Sequence, residues 1–133
     1  MSTILVDNLT GKTSAGSITV TSEGGAATQS LQQGLAKAWA FIDQKTDNAV
    51  DNSFGVTSFS DSGEGNGNVN IINAMTSLIQ VSQLTSYRSG TTDISGNAGA
   101  SMTSTTAVAI ITKTSAGAAD DTEYGMTLHG DLA

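Results

Sequence analysis

The chain has 133 residues, enough for one domain with a modest core or for a small domain carrying an extended arm. Acidic residues outnumber basic ones by 12 to 5, giving a formal net charge of −7 and a pI near 4.2. Lys12, Lys37, Lys45, Arg88 and Lys113 are scattered, which excludes nucleic acid and anionic membrane surfaces as expected partners.

Hydrophobic residues make up 38% and charged residues 13% of the chain, and Pro is absent. Low charge combined with alternating Val, Ile and Thr predicts an ordered chain that covers surface in an assembly. No apolar run approaches the roughly 20 residues that cross a bilayer. Met1 to Val6 shows neither the basic nor the long apolar region of a signal peptide. Cys is absent, so oligomerisation is the expected substitute for disulfide staples.

Residues 1–27 read as an extended N-terminal docking arm. Ile4-Leu5-Val6 and Ser17 to Thr21 are strand candidates, separated by the loop Lys12 to Gly16 and closed by Glu23-Gly-Gly25. Ile4, Val6, Ile18 and Val20 are its apolar contacts. Such an arm has too little apolar surface to fold alone.

Residues 28–46 read as a short helix, capped by Thr28 or Ser30, with Lys45 near its end. Leu31, Leu35, Ala38 and Ile42 step by four, three and four. Together with Trp39 they form the expected oligomer seam; the same stepping also fits the core face of a helix lying on the β domain. Gly34, costly inside a helix, marks either an irregular turn or a close approach of a second backbone.

Residues 47–133 read as an antiparallel β head, a small sandwich or jelly-roll-like unit. Strand candidates are Phe54 to Phe59, Asn68 to Asn73, Leu78 to Tyr87, Ser101 to Lys113 and Glu123 to His129. Turn signals separate them at Ser62 to Gly67, Ser89-Gly90, Ser95 to Gly99 and Ser115 to Asp121. The fold class is therefore mainly β, with one short helix and a strand arm preceding the head.

Little in the chain points to catalysis. His129 is the sole histidine and no Gly-x-Ser-x-Gly elbow accompanies it. Asp61, Glu64, Asp120 and Asp121 lie in turns, where carboxylates are usually solvated. Asp61 to Asn68 fails the calcium-loop spacing and reads as a hairpin tip. No enzyme activity, cofactor or metal is expected. Tyr87, Arg88 and Tyr124 have the aromatic or bidentate character of receptor contacts, and form the candidate site for a host glycan or protein.

Val6 to Val20, followed by Leu31 to Trp39, resembles the N-terminal block of small tail-fibre-like or knob-like virion proteins of tailed bacteriophages, especially those of marine bacteria and cyanobacteria. Gly67-Asn-Val-Asn-Ile-Ile-Asn-Ala-Met75 resembles a strand of phage fibre tips, and His129 to Ala133 resembles endings in the same group. The resemblance implies a homotrimeric virion component on the outer surface of tail or capsid. Its partners would be its own copies and capsid, portal, adaptor or tail proteins. It carries no catalytic residues over. Ser77 to Leu84 departs from the fibre-tip pattern, lacking its Pro- and Tyr-containing turn.

Overall fold

The computed structural model describes residues 3–14, 17–22, 24–25, 27–78, 81–87, 97–114 and 116–133. Arg88, the turn at Ser89-Gly90, and parts of the expected turns (Ala15-Gly16, Glu23, Ser95-Gly96 and Ser115) lie outside the described residues. The chain divides into two compact units, Met1–Leu35 and Ala36–Ala133. All three sheets are antiparallel.

In the first unit, β1 (Thr19–Thr21) pairs with β2 (Thr28–Ser30), setting Val20 opposite Gln29. A single helical turn, α1 (Leu31–Gly34), follows, and the Leu31 N–H donates to the Ile18 carbonyl at 2.8 Å. Ile4-Leu5-Val6 carries no regular structure. The six aliphatic residues Ile4, Leu5, Val6, Leu9, Val20 and Leu35 are each more than half exposed.

The second unit holds two four-stranded sheets. One has the order β4-β3-β10-β7, from β3 (Ala38–Asp43), β4 (Ala49–Phe54), β7 (Val81–Tyr87) and β10 (Glu123–His129). The other has the order β5-β6-β9-β8, from β5 (Val56–Asp61), β6 (Asn66–Ile71), β8 (Asn97–Ser104) and β9 (Ala107–Lys113). β3–β4, β5–β6 and β8–β9 are local hairpins within a sheet. The chain passes between the two sheets four times, at β4–β5, β6–β7, β7–β8 and β9–β10.

The expected helix over 28–46 does not form. Beyond the four residues of α1, its second half is β3, and β2 occupies the expected cap. The physical reason is a competing period. Ala38, Ala40 and Ile42 alternate with Trp39, Phe41 and Asp43, so a strand buries one set entirely while β4 and β10 satisfy the backbone on both sides. Pairing overrides the helix propensity of Leu31, Leu35, Ala36, Ala38 and Ala40, which differs from that of other residues by only tenths of a kcal/mol each.

Alternation also builds the core. Ala38, Ala40 and Ile42 from β3 and Tyr124, Met126 and Leu128 from β10 meet Val69 and Ile71 from β6 and Val108 and Ile110 from β9. Both sheets thus feed one apolar cluster, to which Met75 is added, bridged to Leu132. Two expected strands are each split. Gly55, at φ 72°, ends β4 and starts β5 in the other sheet, and Thr105-Thr106 turns β8 into β9.

Candidate binding surface

The outward residues of the two large sheets differ in chemistry. On β5 and β6 they are polar: Asn70 donates its amide to the Ser58 hydroxyl at 3.0 Å, and Asn68 donates to Ser62 at 2.8 Å. Such side chains satisfy one another and leave little apolar area.

The outward face of β4-β3-β10 is aromatic. Trp39 lies directly opposite Phe54 on one side and Thr127 on the other. The next row places Phe41 between Asn52 and Gly125, and a third places Asp43 between Ala49 and Glu123. Trp39 is 39% and Phe54 58% exposed. Gly125 does not have a positive φ, and among the described residues nothing stands within 4 Å of where its Cβ would be, so the floor beside Phe41 is open to them. A shift of register between Phe41 and Ile42 bulges β4 around Asp51 and ends the aromatic rows there.

At one end of the core lies a polar group. Gln44 is 2% exposed, and its Nε2 donates to Asp61 Oδ1 at 3.2 Å and to the Asn66 carbonyl at 2.9 Å. Thr112, also buried, donates its hydroxyl to the Asp120 carbonyl at 2.7 Å, while Asp121 Oδ1 accepts the Gly65 N–H at 2.6 Å. Gln44 Oε1 and the Tyr124 hydroxyl are buried and find no hydrogen-bond partner among the described residues. The Tyr124 ring packs edge-on to Phe59 with centroids 6.5 Å apart.

Burial raises the Tyr124 pKa above the usual tyrosine range, and the carboxylates of Asp61 and Asp121 add to the rise. A phenol whose folded-state pKa is raised contributes stability below about pH 10, and that stability is lost as pH climbs toward the folded-state pKa. Tyr124→Phe should therefore flatten the alkaline loss of stability in urea titrations between neutral pH and pH 11. At pH 7 it should change stability by less than about 1 kcal/mol, since it removes an unpartnered buried hydroxyl and keeps the ring. An unchanged alkaline profile would refute this assignment.

Comparisons of the chain with family models, with curated proteins and with solved structures return no match.

The five seam residues do not share a surface. Leu31 lies in α1 and Leu35 is exposed, both in the first unit. Ala38 and Ile42 are fully buried inside the sandwich, and Trp39 stands on its outer face. The structure therefore offers no helical seam. Of the arm residues, Ile4, Val6 and Val20 are exposed and Ile18 is half-buried. Tyr124, a candidate receptor contact, is fully buried and faces the core with Met126 and Leu128, so it is closed to a surface ligand. Tyr87 lies on β7 opposite Glu123 in register. His129 ends β10, half-buried and opposite Val81. Among the described residues no three His, Cys, Asp or Glu side chains group to hold a metal ion. The aromatic face itself was missed by sequence reasoning. Its signal is the alternation of Trp39 and Phe41 with Ala38, Ala40 and Ile42, legible only once the segment is read with period two.

Proposed function

We propose that the chain is a structural component of a bacteriophage particle, assembled in three copies, that anchors through residues 1–35 and displays residues 36–133 on the outer surface of tail or capsid. One observation carries the reading: a self-sufficient sandwich core is preceded by a unit that leaves six large aliphatic residues in solvent. Burying each such side chain is worth about 1.5–3 kcal/mol, and a two-stranded sheet alone is marginal in water. An arm of that kind gains its stability from a partner, and an extended segment pairs readily with an exposed sheet edge. The likeness of Val6 to Val20 and Gly67 to Met75 to virion proteins supports this direction. The low charge content, with 17 charged residues in 133, suits surface held in an assembly.

The double substitution Leu5→Asp and Val6→Asp tests the anchor. It should reduce the assembled fraction at micromolar concentration by at least about tenfold while leaving the unfolding transition of the sandwich unchanged. An unaltered assembled fraction would remove these residues from the contact.

A further inference from the structure

We propose that the outer face of β4-β3-β10 is a binding platform for a neutral saccharide, with sugar rings laid on Trp39 and Phe54 and their hydroxyls bonded by Asn52 and Thr127. The inference extends the display half of the reading above, on which it rests, by naming what the displayed face binds.

The chain has six aromatic residues in all, and three of them, Trp39, Phe41 and Phe54, share this one outward face. Outward aromatics on neighbouring strands create a flat apolar surface, while their indole and phenyl faces carry negative quadrupole density. The axial C–H groups of a pyranose present a weakly positive apolar face of matching flatness. Its equatorial hydroxyls leave the ring edge laterally and need donors and acceptors beside the rings. Asn52 lies next to Phe41 and Thr127 next to Trp39, so amide and hydroxyl groups flank the aromatic rows on both sides.

Gly125 makes the platform accessible. Opposite Phe41, it is the one position of these rows without a side chain, and among the described residues nothing lies within 4 Å of its Cβ position. A ring lying over Phe41 can therefore extend toward β10 at Gly125. Among the described residues of the opposite sheet, Asn68 and Asn70 bond to Ser62 and Ser58, and the exposed apolar side chain is the aliphatic Ile111 rather than an aromatic ring.

Charge selects the class of sugar. Asp43 and Glu123 face each other one row beyond Phe41, on a chain of net charge −7. Uronic, sialic and phosphorylated sugars are repelled by this field, whereas neutral hexoses are not. A protein partner is the poorer fit: the centre of a protein interface is depleted of charged residues, whereas here a carboxylate pair follows the rings directly.

Trp39 is the only tryptophan in the chain, so its fluorescence reports this face alone. The full-length protein is titrated with neutral hexasaccharides, namely cellohexaose, maltohexaose and mannohexaose, and with an acidic galacturonate hexamer. A saturable blue shift is expected with at least one neutral probe below about 10 mM, and none with the acidic one. Phe54→Ala, Asn52→Ala and Gly125→Val should each weaken binding by about tenfold or more with unchanged circular dichroism. Gly125→Val fills the gap with a side chain of high strand propensity, and its unchanged circular dichroism separates a blocked platform from misfolding. Silence of Trp39 toward every neutral probe, or equal response to the acidic one, overturns the proposal. So does a blue shift that follows protein concentration alone, which would assign the face to a second copy. Solution mass is read separately: an assembled protein that ignores sugars defeats this inference only, and a sugar-binding monomer defeats the assembly reading only.

Discussion

Ile42→Ser is expected to unfold residues 36–133 rather than to dissociate an assembly. The side chain is fully buried on β3, between β4 and β10, within the cluster to which both sheets contribute. Removing most of an isoleucine and burying a hydroxyl there should cost about 3–5 kcal/mol. A domain of this size holds only about 5–15 kcal/mol in total. Urea denaturation followed by circular dichroism should place the midpoint far below that of the native chain. Leu35→Ser, at a residue 55% exposed, should stay within about 0.5 kcal/mol. A folded Ile42→Ser protein with altered solution mass would instead return Ile42 to an intermolecular contact.

Gly55→Ala is expected to be severely damaging for a change of a single methyl group. Gly55 sits at φ 72°, where the chain leaves β4 and enters β5 in the other sheet. A left-handed conformation costs a non-glycine residue about 1–2 kcal/mol. The added Cβ would also stand 2.6 Å from the Lys37 carbonyl and 3.3 Å from Ala38. Neither neighbour can retreat freely. The Lys37 N–H donates to the Leu128 carbonyl at 2.8 Å, and the Gly55 carbonyl accepts the Ile72 N–H at 2.9 Å. Strain and overpacking together should remove about 2–4 kcal/mol. Gly117→Ala separates the two contributions, because Gly117 has φ 87° but open space around it. Its loss should be about 1–2 kcal/mol, from the backbone alone. Equal losses at both positions, measured by thermal unfolding, would contradict the close packing at the crossover.

Part of this fold is legible in the chain. Glu123 to His129 reads as a strand with the observed limits, because Tyr124, Met126 and Leu128 alternate with Glu123, Gly125 and Thr127 between polar turns. The same parity buries Tyr124 beside Met126, so its aromatic character is no guide to surface recognition there. Leu31 to Ile42 is ambiguous in itself, since its apolar residues satisfy a helical and a strand period together. Only pairing with β10, more than 80 residues later, decides between them. The turn at Thr105-Thr106 contains neither Gly nor Pro, which is why β8 and β9 read as one strand. The aromatic platform needs the β3–β4 register to bring Phe54 beside Trp39, and one-dimensional spacing does not carry that information.

If residues 1–35 assemble copies of a sandwich that folds by itself, removing them should abolish assembly and leave the sandwich folded. Sedimentation equilibrium on the full chain and on residues 36–133, at equal micromolar concentrations, tests it most directly. The full chain should have three times the mass of one 13.4 kDa copy, and the shorter chain should be a folded monomer. A full chain that remains monomeric, or a shorter chain that still forms trimers, would contradict it.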